Sequence, residues 1–168
     1  MSDNIPSKSF KEKTNSVNEL ELVDIRLEKI LIGPNDKAYV LIGDTEKTVC
    51  FELNSFEGSM LSFVYKGLHT NSHIQTIHQL YIRYLKDQGT NLERVVIESR
   101  AGDITYASLR FVDIKHRRYY AICSLGDALI LSYLTKCSLS AVKKPWLTYD
   151  PYDDTNYEHF IIDLSPED

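Results

Sequence analysis

Two acids and a histidine stand where chemistry could start. Glu57 and Asp127 each open a segment with helical apolar spacing, and His78 lies beside the apolar stripe of a third such segment. Hydrolysing a phosphodiester at neutral pH needs an activated water and positive charge on the phosphoryl oxygens, from carboxylate-bound Mg²⁺ or from His with Arg and Lys. Glu57, His78 and Asp127 are therefore the first-choice catalytic candidates. Glu57 and Asp127 double as metal candidates, because carboxylate oxygens suit a hard cation such as Mg²⁺. The competing reading is plain: an acid in the first turn of a helix offsets the helix dipole, and a histidine beside apolar neighbours packs as part of an interface.

Positive charge is available at Lys115-His116-Arg117-Arg118, a run followed directly by Tyr119 and Tyr120. Together with Arg94, Arg117 and Arg118 are candidate substrate-binding residues, since basic groups interleaved with aromatics suit phosphate contact and base stacking. Consecutive strand residues point to opposite faces, so the two tyrosines cannot share one platform without a bulge, and a charged turn also serves solubility alone. His69 and His73 have the four-residue spacing of a helical metal pair, but Gly67 and Asn71 place His69 in a loop. Cys50, Cys123 and Cys137 are odd in number and lack paired ligand spacing, which reads as reduced buried thiols and a cytoplasmic location.

These residues must be held by a core. The alternation from Leu22 to Ile32 predicts a half-buried strand ending at Gly33-Pro34-Asn35-Asp36, with Ala38 to Ile42 and Thr48 to Leu53 following. A helix is expected after Ser55 as N-cap, stopping near Gly67, and a longer one from Ser72 to Asp87 with Ile74, Ile77, Tyr81, Tyr84 and Leu85 as its apolar stripe. Leu92 to Ser99, Thr105 to Val112 and Arg118 to Cys123 predict a meander. A buried helix over Asp127 to Lys136 and a small edge strand at Leu139 to Val142 complete the pattern.

The fold class is α+β in a single domain. The helices starting at Glu57 and Asp127 match at a constant offset of 70, which allows two intertwined strand-strand-strand-helix repeats with one additional helix. Residues 1–19 read as a disordered polar arm, 20–144 as the folded domain and 145–168 as an acidic, aromatic tail. The net charge of −5 is concentrated in that tail, which carries seven acids and no Lys or Arg, leaving residues 1–144 at +2. Charge alone therefore neither demands nor forbids a polyanionic partner. No apolar run is long enough to span a bilayer, so no membrane partner is expected.

The stretch Ile77-His78-Gln79-Leu80-Tyr81 through Leu92-Glu93-Arg94-Val95-Val96-Ile97 to Tyr106-Ala107-Ser108-Leu109 resembles the bifunctional nuclease domain family. There a Thr-His-Asp-Leu-Leu helix leads at matching spacing into Leu-Glu-Arg-Val-Val-Ile and Tyr-Ala-x-Leu strands. Phe56-Glu57-Gly58-Ser59-Met60 and Gly126-Asp127-Ala128-Leu129-Ile130-Leu131 resemble two further helix starts of that family, so the similarity covers residues 22–142. It implies an intertwined α+β fold and nuclease activity on DNA and RNA. Gln79 stands where the family has Asp, and Ser124-Leu125-Gly126-Asp127 replaces Arg-Pro-Ser-Asp, departures that touch catalysis more than fold. The expectation is a nuclease acting on RNA or DNA; the alternative is a non-catalytic binding or assembly module of the same fold. Such a module would reach a protein partner through the C-terminal tail, or another copy of the chain as a homo-oligomer.

Overall fold

The computed structural model describes residues 21–33, 37–70, 75–101, 104–152 and 162–163. The elements run β1 (Leu22–Asp24), β2 (Arg26–Ile32), β3 (Ala38–Gly43), β4 (Thr48–Leu53), α1 (Ser55–Tyr65), a 3₁₀ turn (Leu68–Thr70) and α2 (Ile77–Asp87). There follow β5 (Thr90–Ala101), β6 (Ile104–Asp113), β7 (Arg118–Ser124), α3 (Leu125–Thr135), β8 (Ser138–Val142), α4 (Lys143–Thr148) and β9 (Ile162–Asp163). The α+β class and the two strand-strand-strand-helix units are both present: β2-β3-β4-α1 and β5-β6-β7-α3 each run as an antiparallel meander followed by a helix.

The units are intertwined through their ends. The smaller sheet has the order β4-β3-β2-β9 and the larger β1-β8-β5-β6-β7. The single strand expected from Leu22 to Ile32 is cut at Ile25, which is only 7% exposed and donates its N–H to the Leu139 carbonyl at 3.1 Å. β1 thus joins the larger sheet on β8, while β2 joins the smaller sheet on β3. Uninterrupted alternation with no Gly or Pro gives no sign of such a handover. The expected edge strand at Leu139 is interior instead, antiparallel to β1 and parallel to β5.

Helices α1 and α3 pack side by side and parallel. Glu57 lies against Gly126 at one end, and at the other the Tyr65 and Tyr133 rings approach to 4.7 Å between centroids. One apolar cluster joins the smaller sheet to both helices through Ile30, Val40, Phe51, Leu61, Leu129 and Ile130. A second, with Val95, Leu109, Ala128 and Leu131, seats α3 on the larger sheet.

Three boundaries differ from expectation. Asn54, not Ser55, caps α1. α2 starts at Ile77 behind a Thr76–Gln79 capping box, and residues 71–74, including the expected start and Ile74, lie outside the described residues. The domain edge placed after Lys144 falls inside α4, because Trp146 is 0% exposed and belongs to the core. Its indole donates to Asp44 Oδ2 at 2.6 Å, and Lys47 Nζ donates to the carbonyls of Trp146 at 2.7 Å and Tyr149 at 2.5 Å. Most of the acidic tail beyond Tyr152 lies outside the described residues, as does the polar arm. No helix among the described residues is long and apolar enough to cross a membrane.

Candidate functional site

The parallel packing of α1 and α3 sets two helix N-termini at the same end of the molecule. Each is opened the same way: Asn54 Oδ1 accepts the Glu57 N–H at 2.9 Å, and Ser124 Oγ accepts the Asp127 N–H at 3.3 Å. In both helices the third residue is therefore an acid whose backbone is fixed by a cap, where the partial positive charge of the unsatisfied N–H groups favours an anion. Gly126 makes the approach of the two helices possible. A Cβ at that position would lie 2.5 Å from Glu57 Cβ and 2.7 Å from its Cγ and Cδ, so only glycine lets the Glu57 side chain lie across the first turn of α3.

α2 brings in the histidine. His78 sits one residue into that helix, 7% exposed, with Nε2 at 2.9 Å from Asp127 Oδ1. An ionised Asp127 can only accept, so Nε2 is the donor, and Nδ1 is left buried without a hydrogen-bond partner. The Asp127 side chain is 47% exposed. Burial thus inverts the roles suggested by residue type: the imidazole is enclosed and holds the carboxylate, and the carboxylate faces solvent. The α2 stripe explains why. His78 turns inward with the half-buried Ile82 and Leu85, whereas Ile77 and Tyr84, expected in the stripe, are exposed.

Cys123, at the end of β7, was not a candidate from its sequence context. Burial raises its thiol pKa to about 12, helped by the negative charges of Asp127 and Glu57, which places both carboxylates in its electrostatic neighbourhood. Such a thiol is no nucleophile at neutral pH. Burial raises Tyr81 on α2 as well, with Cys123 the next contributor. The three catalytic candidates therefore gather at one place, ringed by α1, α2, α3 and the end of β7. The capping acids were legible as helix starts, but the His78–Asp127 contact spans 49 residues and has no local signal.

The basic candidates do not join that site. Arg94 and Arg118 line a cavity of about 530 Å³ on the larger sheet. Val95 and Phe111 face α3, so Arg94, next to Val95, and Arg118, registered with Val112, point to the opposite face. Arg117 is held in its turn instead: its Nε and one terminal nitrogen both lie 2.8 Å from Asp113 Oδ2. His69 lies in the 3₁₀ turn, and His73 lies outside the described residues. The three cysteines are half-buried. Among the described residues no group of three or more His, Cys, Asp or Glu side chains is arranged to hold a metal ion. Two carboxylates would bind Mg²⁺ only with water or substrate oxygens completing its shell, which is the usual habit of that ion in phosphate chemistry. No family model matches the chain, and no curated protein matches it.

Proposed function

We propose that the protein hydrolyses phosphodiester bonds in RNA or DNA at the common end of α1 and α3. The observation that carries this reading is the His78–Asp127 bond at 2.9 Å beneath two parallel helix N-termini. N-terminal N–H groups and their dipoles draw a phosphate without needing a cationic side chain. With Oδ1 held by His78, the other oxygen of Asp127 is left to take a proton from an attacking water. Glu57, seated on Gly126, lends a second carboxylate. Where Mg²⁺ binds, Glu57 and Asp127 would hold it, and it would supply charge neutralisation on the phosphoryl oxygens. His78 acts through Asp127 and is a positioning residue. The resemblance of residues 22–142 to the bifunctional nuclease domain points to the same chemistry.

A specific observation favours the rival binding-module reading. Ile77 and Tyr84 on α2 and Ile122 on β7 are exposed, which is apolar surface of the kind a protein partner or a second copy covers. One assay separates the two. Purified protein is incubated with labelled single-stranded RNA, single-stranded DNA and duplex DNA, with Mg²⁺ or with chelator, beside Asp127→Asn. Cleavage that is lost in a folded Asp127→Asn variant supports the nuclease; no cleavage, or equal cleavage by both proteins, overturns it in favour of the binding module.

A further inference from the structure

The face of the larger sheet turned away from α3 carries a feature that the α1–α3 site does not use. Registered pairing sets Ser138, Arg94, Arg110 and Tyr120 in one row across β8, β5, β6 and β7. Arg94 and Arg110 are thus directly opposite each other. Like charges in that position repel and weaken the pairing of their strands. Arg118 lies one step along β7 on the same face, registered with Val112. All three line the cavity of about 530 Å³, together with Tyr120.

Arg94 donates to the Ser140 hydroxyl at 3.1 Å, but the carboxylates nearby hold these guanidinium groups loosely. Arg94 is 3.6 Å from Asp24, Arg118 is 3.7 Å from Glu93, and Arg110 is 3.9 Å from Glu98. Those separations fall within ion-pair range but beyond the reach of a good hydrogen bond. Glu98 is occupied otherwise, accepting from the Ser108 hydroxyl at 2.5 Å. An incoming anion with oxygens at hydrogen-bond distance would compete well with such partners, and guanidinium groups bind phosphate through paired N–H donors. At the outer end of the row Tyr120 is 78% exposed, on the sheet's edge strand. A row of cations ending in an open aromatic ring is the arrangement that binds phosphates and stacks a base. The volume is that of a site for a ligand of nucleotide size.

We infer that this face is a binding groove for single-stranded nucleic acid, with phosphates on Arg94, Arg110 and Arg118 and a base stacked on Tyr120. The inference rests on the reading that the protein acts on polynucleotides, and it gives that reading a second, non-catalytic site. β7 borders the groove and runs directly into Ser124 and Asp127. A strand leaving the groove past Tyr120 therefore turns around the sheet edge that leads to the cleavage site. A duplex lacks unstacked bases to offer the ring, so the groove selects single strands.

Fluorescence anisotropy tests this with fluorescein-labelled oligouridylate and oligothymidylate of about twelve nucleotides. The protein is the full chain in chelator, so that binding is read without cleavage. Tyr120→Ala should weaken binding about 5- to 100-fold. Arg118→Gln should weaken it too and flatten the slope of log affinity against log salt by about 0.7. Both side chains are largely exposed, so neither change removes core packing. A wild-type protein that fails to bind at low salt, or variants whose affinity and salt slope match the wild type, would overturn the groove. Groove-dependent binding without any cleavage leaves the groove standing and sinks the nuclease; cleavage with unaltered binding in both variants does the reverse.

Discussion

The two strand-strand-strand-helix units start their helices alike and bury them differently. α1 buries only Gly58, Leu61 and Val64, whereas α3 buries seven consecutive or near-consecutive residues from Leu125 to Ser132. Even the turns between second and third strands correspond. Asp44 accepts the N–H groups of Glu46 and Lys47, and Asp113 accepts those of Lys115 and Arg117. The decisive difference is that Asp127 has a buried histidine against it and, among the described residues, Glu57 has none. A central helix buried on most of its faces can hold a carboxylate fixed, and a peripheral one leaves its acid as an auxiliary.

The comparison breaks first at the acids. Asp127→Asn should lower cleavage of labelled single-stranded RNA by about 10²- to 10⁴-fold, the range for loss of a general base, while Glu57→Gln costs less than about tenfold. Equal losses would mean that the units contribute equally. His78→Ala should lower kcat with little change in KM, and His78→Gln, which keeps a donor, should recover part of it.

Stability sharpens the contrast in the other direction. Gly58→Ala should cost about 1–3 kcal/mol in urea unfolding, because the added methyl collides with Ala38, a residue fixed in β3. Gly126→Ala meets Glu57 Cβ at 2.5 Å, a less severe approach than that of Gly58→Ala to Ala38 Cβ, so its stability loss should be smaller, while displacement of the Glu57 side chain makes its cleavage loss larger. If Gly126→Ala instead proves the more destabilising, the seat of Glu57 is structural. Removing either cap should cost about 1 kcal/mol, with only Ser124→Ala also slowing cleavage.

The smallest effect concerns the two aspartate turns. Burial works to raise Asp44, but the N–H groups of Lys47 and Glu46, the Trp146 indole and the Lys47 ammonium together hold it below its ordinary value. A carboxylate lowered by folding contributes stability above its unfolded pKa and loses it as pH falls through the folded value. Urea midpoints at about pH 5 and pH 3 should therefore drop more for wild type than for Asp44→Asn. Asp113 is lowered as well, against its own desolvation, by Arg117 and the Lys115 N–H. Its charged partner Arg117 is exposed, so Asp113→Asn should change the acid slope less. An equal change would show that the α4 clasp adds nothing to the first turn.

Local signals carried the strands, the helix starts and the acids, because polar caps, glycines and apolar periodicity act over a few residues. Gly67 and Gly89 take positive φ where the helices were expected to stop. What escaped depends on distant partners. Period-two alternation cannot say which sheet a strand joins, so the break at Ile25 and the interior place of β8 were invisible. In sequence Ile77 and two tyrosines outweigh His78 in apolar character, yet the buried pairing with Asp127 turns α2 to face the histidine inward. Trp146 reads as tail because the acids beyond it dominate that composition, while α4 packs on β8, β1 and β5 and the indole is held by the Asp44 turn. The arginines were recognised as cations but not placed, since strand register decides which face each one occupies.

The handover at Ile25 also governs the order in which the chain can assemble. Among the described residues β1 pairs only with β8, Leu22 opposite Val142, so β1 has no strand partner until the whole stretch from β2 to α3 has been made. β2 likewise borders β9 near the C-terminus. Pairing between such distant segments must close a long loop before it is rewarded, which slows folding. During synthesis the β2–β3–β4 meander can form before the larger sheet, which stays incomplete until β8 has been made, and a nascent molecule halted before Ser138 would still present β5 as an unpaired edge.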